Sequence, residues 1–476
     1  VREPGAILLV ACYELGHQPL AVAWPAAFLA RRGYAPAVCD VSVEPLDAEA
    51  VRRARLVAIS VPMHTALRLG VAVAERVRRL NPRAHLCFYG LYATLNAEWL
   101  LGHVADSVLG GEVEDALVEL VASLEASGEG PRAAAPRGEP PASRTDPPEP
   151  TRAARRGAPH LARLDFPVPR RAALPGLRRY AHLEWRGERR MAGYVEASRG
   201  CKHRCRHCPI PPVYGGRFFV VPREVVLADI RQLVAAGAAH ITFGDPDFLN
   251  GPRHALEVAR ALHAEFPDVT FDFTAKVEHL LRHRRLLPEF AALGCLFVVT
   301  AAESLSDTVL AHLGKGHTRA DLVAVLDALR AAGIAPRPTW VPFTPWSTLD
   351  DYRELLDFIE AEGLVDHVDP VQYAIRLLVP PGSLLLDSPA MRPYLGTLVE
   401  RAFSWTWTHP DPRMDALQAA VAALVEDAAR RQEDPAVTFG RIRALADATA
   451  GVAPRPGPAL APDRPRPPRL TEPWFC

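Results

Sequence analysis

The residues best suited to chemistry are Cys201, Cys205 and Cys208, spaced Cys-x3-Cys-x2-Cys within Tyr194-Val-Glu-Ala-Ser-Arg-Gly-Cys201-Lys-His-Arg-Cys205-Arg-His-Cys208-Pro-Ile. Three of the chain's eight cysteines thus fall within eight residues. Thiolates are the usual protein ligands of iron–sulfur clusters, and a loop this tight lets three of them cap one face of a cubane. Such a 4Fe-4S cluster keeps one iron open to another ligand. A zinc site or three unrelated thiols is the plainer alternative, but zinc motifs usually come as two pairs and no second pair exists here.

The elements around the loop must place it at a strand end. An apolar run precedes it, and Pro209, Pro211 and Pro212 follow it. From 193 to about 379 the pattern alternates strands (193–198, 240–243, 270–274, 296–301, 335–341, 371–378) with helices (223–236, 254–266, 277–293, 307–313, 319–332, 349–362). Six strand–helix units predict a partial (β/α)6 barrel, open on one side, with its chemistry at the carboxyl ends of the strands. That rule selects Gly244 and Asp245 after the second strand, Lys276 and Glu278 after the third, and Glu303, Ser304 and Lys315 after the fourth. A glycine lets backbone approach a ligand, and a carboxylate there could accept hydrogen bonds from an ammonium group. A solvated turn with two acids competes with that reading at Asp245, and a helix-dipole partner competes at Lys315. Lys202, Lys276 and Lys315 are the only lysines among 55 basic residues, and all three lie in this segment. In a chain that otherwise uses Arg, a Lys marks a place for a compact ammonium.

Residues 1–125 form a separate α/β unit. Apolar strands at 6–12, 37–41, 56–61 and 84–89, separated by helices, predict a parallel, flavodoxin-like sheet covered on both faces. Ligands of such sheets bind beyond the carboxyl strand ends, here the loops 13–19, 60–65 and 90–94. His17, Ser60 and Gly90 are the candidates those loops offer. Residues 126–160 are rich in Pro, Ala, Gly and Arg and read as a flexible linker. The barrel then occupies 161–410, helices 411–450, and a Pro-rich tail 451–476 that ends in Trp474-Phe475-Cys476.

Composition narrows the class. A hydrophobic share of 49% with 23% charged residues is that of a soluble globular protein, and no apolar run reaches membrane-spanning length. A thiol-dependent cluster needs a reducing compartment, so the cytoplasm is the expected location. Zero net charge excludes a global attraction to nucleic acid, although 151–190 carries eleven Arg against three acids. An RNA-binding or RNA-modifying protein that uses this connector, and an interaction scaffold with a docking tail, are the alternatives.

The cysteine loop resembles the signature of the radical S-adenosylmethionine (SAM) superfamily. The resemblance implies that the open iron is chelated by SAM and that an electron from the cluster cleaves SAM to a 5′-deoxyadenosyl radical. It also implies an external electron donor of the flavodoxin or ferredoxin type and a small-molecule or peptide substrate. His207 stands where the family commonly has an aromatic residue, Gly244-Asp245 matches its Gly-Gly-Glu position, and Glu303-Ser304 with Lys315 resembles its strand-end Glu-Ser and Lys-Gly-x-Thr. The amino-terminal unit resembles the cobalamin-binding domain that precedes many such barrels, through Pro19-Leu20-Ala21, Ala58-Ile59-Ser60, Tyr89-Gly90 and Gly110-Gly111-Glu112-Val113-Glu114. The family's cobalt-ligating Asp-x-His-x-x-Gly is absent; the first loop reads Glu14-Leu-Gly-His17 instead. With cobalamin, the implied reaction is methylation of an unactivated atom; without it, rearrangement or thiolation. Finally, Thr471-Glu-Pro-Trp-Phe-Cys476 resembles radical SAM proteins with Cys-Sec-Ala-Glu-Pro or Cys-Cys-Ala-Glu-Pro tails. That implies a selenocysteine following Cys476 and a redox role for the pair.

Overall fold

A computed structural model of the chain describes residues 1–126, 155–156, 158–461 and 463–472. The expected Cys476 and most of the expected linker lie outside these residues.

The amino-terminal sheet contains β1 (Ile7–Ala11), β2 (Ala37–Asp40), β3 (Leu56–Ser60), β4 (His85–Tyr89), β5 (Ser107–Leu109) and β6 (Arg155–Arg156). All pairs are parallel, in the order β2-β1-β3-β4-β5-β6. Four of these strands were legible as continuous apolar runs because both faces of the sheet are covered, which removes any alternation. The strand order reverses between β1 and β3. The loops after these two strands therefore diverge and open a crevice at the carboxyl edge, the usual ligand position of a doubly wound sheet.

The second sheet contains β7 (His182–Trp185), β8 (Glu188–Val195), β11 (His240–Phe243), β12 (Thr270–Thr274), β13 (Cys295–Glu303), β14 (Ala335–Trp340) and β17 (Arg469–Leu470). A small antiparallel pair, β9 (Ser198–Gly200) with β10 (Phe218–Val220), brackets the cysteine loop, and β15 (Leu395–Val399) pairs with β16 (Ser404–Trp407) in a hairpin. Strand order is β14-β13-β12-β11-β8-β7-β17, with β8 and β11 to β14 parallel and β7 and β17 antiparallel at one edge. This is the curled half-barrel expected, with helices on its outer face.

Three local expectations are corrected. The sixth strand, 371–378, is replaced by a 3-10 turn (Pro370–Ala374) and a single parallel bridge from Phe343 to Arg376. Pro370 removes a ladder donor, and the Gln372 side chain, rather than a neighbouring strand backbone, accepts the Trp340 N–H at 3.0 Å. The single helix expected over 277–293 is two helices, Val277–Arg282 and Leu287–Ala292, because Pro288 fits only in a first turn. The tail is not a free tether. Arg464 bonds to both Asp366 (2.6 Å) and Asp434 (2.9 Å), and β17 adds to the sheet edge beside β7.

The connector before the second sheet is structural. Phe166 packs against Trp24 and Phe28 of the first helix (Leu20–Arg31). Arg171 is 6% exposed and forms a two-pronged pair with Asp229 at 2.9 and 2.8 Å. Its remaining donors reach the Gln18 backbone at 3.2 Å and the Tyr194 carbonyl at 2.6 Å. One guanidinium thus joins the first loop of the amino-terminal sheet to β8. Removing one partner leaves the other charge buried and unpaired, so Arg171→Met is expected to cost about 3–5 kcal/mol. A lowered urea midpoint would register it; a midpoint unchanged from wild type would refute the assignment.

Candidate functional site

The cysteine loop leaves the end of β9 and is fixed from three sides. From the amino-terminal domain, Glu112 (3.3 Å) and Glu114 (2.7 Å) both hold Arg199, two residues before Cys201. Tyr214 donates to Glu112 at 2.8 Å, and the Arg199 guanidinium lies 4.3 Å from the Trp24 ring centre. The Gly110-Gly111-Glu112-Val113-Glu114 run thereby grips the cysteine loop. Gly111 adopts φ +77°, and a Cβ there would meet the His160 carbonyl oxygen at 2.2 Å, so glycine is required. From the turn after β11, Asn250 accepts the Lys202 N–H at 3.2 Å, and its carbonyl accepts the Lys202 ammonium at 2.7 Å. From the third side, the Arg206 N–H donates at 2.9 Å to Leu313, an otherwise open carbonyl at the end of the helix Asp307–Leu313.

Cys201 and Cys205 are buried, Cys208 is half-buried, and none of the three is in a disulfide. Burial pushes the Cys208 thiol up to about 12, and the neighbouring Cys205 and Cys201 add to the shift. Iron would displace those protons, as metal binding to thiols requires. The donor set, three thiols on one short loop with no fourth cysteine of the described residues beside them, fits a 4Fe-4S cluster with one open iron.

Against this loop sits a buried charged group. The Lys315 ammonium is 3.1 Å from Glu303 Oε1, and His207 Nε2 is 3.3 Å from the same oxygen. Lys315 is 2% exposed and Glu303 7%. Burial pushes the Glu303 carboxyl up, but the Lys315 ammonium and His207 overcome it and hold Glu303 well below the usual carboxylate range. Lys315 is correspondingly raised despite burial, by Glu303 and by Cys205 and Cys208. Glu303 sits at φ +66° where β13 slips register against β14, a strained backbone for a non-glycine residue. His207, Glu303 and Lys315 were selected separately from sequence; the fold brings them into one group. The remaining lysine, Lys276, is buried with its ammonium 3.6 Å from Glu278.

Gly244 and Asp245 have their own neighbours. A Cβ on Gly244 would lie 1.9 Å from the Tyr194 ring, whose hydroxyl donates to the Gly244 carbonyl at 3.3 Å. Asp245 accepts from the Ala197 N–H at 2.9 Å and the Ser198 hydroxyl at 2.5 Å, and so holds the chain between β8 and β9. Ser304 accepts the Ser306 N–H at 3.1 Å. Burial raises Asp245 to about 7 from an ordinary value of 3.8. A carboxyl raised on folding loses stability as it ionises, so its contribution falls as the pH rises from about 4 to about 7, by up to about 1.4 kcal/mol per pH unit. Asp245→Asn is expected to flatten that slope in urea midpoints taken across the range; an unchanged slope would show that Asp245 does not titrate there.

Between the loops after β1 and β2 and the helix His64–Leu80, a cavity of about 700 Å³ is lined by Tyr13, Ser42, Leu46, Ala72 and Tyr180 among others. His17 is not part of its wall. Its Nε2 lies 2.6 Å from Glu472 of the tail, and its ring stacks on Tyr194 at 4.8 Å. Ser60 is buried at the end of β3. Gly90, at φ +108°, is required because a Cβ would meet the Val61 backbone at 3.2 Å. The three residues proposed from sequence therefore occupy three separate environments. The tail contact was invisible in the sequence, since 455 residues separate His17 from Glu472.

Residues 195–359 match the radical SAM superfamily and residues 6–121 match the B12 binding domain. Two curated relatives come from Desulfosudis oleivorans. The ribosomal protein uS12 methylthiotransferase RimO is 28% identical over 195 residues, 38% of this chain and 43% of that one. The tRNA-2-methylthio-N(6)-dimethylallyladenosine synthase is 30% identical over 200 residues, 40% and 42%. The chain thus spans less than half the length of these relatives. Among solved structures, the radical SAM methyltransferase TsrM from Kitasatospora setae aligns at TM-score 0.55 and 17% identity, over 75% of this chain and 70% of that one. The cobalamin-dependent SAM radical enzyme OxsB aligns at TM-score 0.65 and 14% identity, over 89% and 67%. These are likenesses of fold. Both matches fall in this order with the cysteine loop inside the second, so the chain carries a radical SAM domain over residues 195–359 with a B12 binding domain ahead of it over residues 6–121.

Proposed function

We propose that this chain cleaves SAM reductively on a 4Fe-4S cluster held by Cys201, Cys205 and Cys208, and uses cobalamin to methylate a small molecule or peptide. When bound, these cofactors supply the radical and the methyl carrier. The residues of the chain orient and insulate them. Glu112, Glu114, Asn250 and Leu313 hold the cysteine loop from three sides. Lys315 places positive charge beside Cys205 and Cys208, which offsets the negative charge that thiolate ligation brings. Glu303 Oε1 is committed to Lys315 and His207, and its other oxygen is the acceptor we assign to a SAM hydroxyl or amine. Asp245 supports the strand end, and Gly244 admits Tyr194.

The match of residues 6–121 to the B12 binding domain, with a cavity beside the loops after β1 and β2, carries the cobalamin reading. Tyr13, Ser42 and Tyr180 would line the corrinoid there. A second reading, methylthio transfer, is favoured by the names of the curated relatives. Members of this superfamily take their electron from an external donor, and a flavodoxin or ferredoxin is the class proposed here. No helix among the described residues is long and apolar enough to cross a membrane.

Corrinoid uptake separates the readings. The chain is reconstituted anaerobically with iron, sulfide and hydroxocobalamin, desalted, and its visible spectrum recorded. One corrinoid per chain, lost in Ala72→Trp, is expected. SAM cleavage without retained corrinoid would exclude cobalamin-dependent methylation and leave methylthio transfer.

A further inference from the structure

A second group of metal-ligating side chains lies beside the cysteine loop and has no part in the arrangement above. His203 comes from the loop, Asp247 from the turn after β11, and His279 from the helix Val277–Arg282 after β12. Their donor atoms converge. His279 Nδ1 is 2.9 Å from Asp247 Oδ2, His203 Nε2 is 3.5 Å from the same oxygen, and the two imidazole nitrogens are 3.4 Å apart. Ligand atoms on a tetrahedral ion with bonds of about 2.0–2.1 Å stand about 3.3 Å from one another. Two of the three observed separations, 3.4 and 3.5 Å, are close to that, and the third is shorter.

Protons alone explain the triangle poorly. A hydrogen-bonded network would bring each pair to about 2.9 Å, and only His279 with Asp247 reaches it. Two ring nitrogens facing each other at 3.4 Å gain little from a shared proton. The surroundings instead resemble the outer support of a metal site. Asp247 is fully buried, and its two oxygens accept the Leu249 N–H at 3.0 Å and the Lys276 N–H at 3.3 Å, which sets the carboxylate's direction. On the far side of His203, Nδ1 lies 3.6 Å from Glu278 Oε2. At that separation Glu278 is a charge neighbour of the ring rather than a hydrogen-bond partner. Glu278 is itself offset by Lys276 at 3.6 Å and Arg282 at 2.9 Å, so Asp247 is the anion aimed into the triangle.

We propose that His203, Asp247 and His279 bind one divalent transition-metal ion of the zinc type, tying the cysteine loop to the strand ends that carry Asp247 and Lys276. Two imidazoles and one carboxylate suit such an ion better than calcium or magnesium, which prefer all-oxygen shells. A fourth position is left for water.

The test uses the full chain with its iron–sulfur cluster reconstituted, so that the three cysteines are occupied. One equivalent of zinc is added, excess is removed, and iron and zinc are counted separately while zinc X-ray absorption reports the ligands. One zinc per chain with nitrogen and oxygen neighbours near about 2.0 Å and no sulfur near about 2.3 Å is expected. Asp247→Asn should reduce retained zinc at least tenfold at unchanged iron. Should that variant fold poorly, His279→Cys provides an independent reading, because it should keep zinc and add one sulfur to its shell. Absence of retained zinc at full iron occupancy overturns the proposal. So does zinc with several sulfur neighbours, which would place it in a vacated cluster site. Low iron with the nitrogen and oxygen shell intact would count against the cluster assignment and leave this one standing.

Discussion

Cys208→Ala is expected to abolish iron–sulfur assembly and SAM cleavage together, while the fold survives. Iron after anaerobic reconstitution should fall from about four per chain to below about one, and 5′-deoxyadenosine formation should fall to the level seen without reductant. A cubane capped by three thiolates has no spare ligand, and no described cysteine outside the loop adjoins it: Cys12, Cys39, Cys87 and Cys295 are buried in the two sheets. The side chain removed is small and half-buried, so the packing penalty is minor and far-ultraviolet dichroism should be unchanged. Cys295→Ala supplies the contrast. That thiol is 4% exposed on β13, where burial holds it protonated. Its loss should cost about 1 kcal/mol of stability and no iron. Full iron and activity in Cys208→Ala would remove the cluster from this loop.

The second large effect concerns the buried pair at the loop's edge. Glu303→Gln leaves the Lys315 ammonium buried without its counter-charge, and a loss of about 3–5 kcal/mol in unfolding free energy is expected. The double variant Glu303→Gln with Lys315→Met removes both charges and should recover most of that loss, because a buried ion pair replaced by apolar atoms is often neutral. SAM affinity should not recover. If Glu303 contacts SAM, both variants bind it at least tenfold more weakly, about 1.4 kcal/mol. Recovery of stability without recovery of affinity marks a binding residue; recovery of both marks a merely structural one. The pH dependence has a defined sign. Glu303 is depressed on folding, so its contribution is present above the ordinary value of 4.5 and is lost as the pH falls from there toward the folded value. Lys315 is raised, so its contribution persists at neutral pH and is lost only as the pH rises above 10.5.

Much of the architecture could be read locally. Four of the six amino-terminal strands, β1 to β4, announced themselves as unbroken apolar runs, and β11 and β12 fall at the residues the pattern predicts, 240–243 and 270–274. Errors came where a side chain replaced a backbone partner. Residues 371–378 have strand-like composition, yet the Gln372 amide oxygen takes the Trp340 N–H and the ladder is reduced to one bridge at Arg376. The short strands β7, β16 and β17 carry too few alternating residues for periodicity to register, and they form because a neighbouring edge is available. The tail reads as a tether because its proline content hides its arginines, which find Asp366, Asp434 and Glu184 only in the folded chain.

The sequence by itself determined the cysteine loop, its place after a strand, and the identity of several strand-end residues, because spacing and period are local properties of a chain. Only the tertiary structure decided what those residues do to one another. Lys315 could be read as a strand-end site residue or as a helix-end charge until folding placed it against Glu303. Glu112 and Glu114 looked like part of a cofactor loop until they closed on Arg199. His203, Asp247 and His279 are spread over 76 residues, and nothing in their spacing joins them. Charge pairing and metal ligation depend on separations of a few ångströms between side chains from different strands, and the sheet that sets those separations is a property of the whole fold.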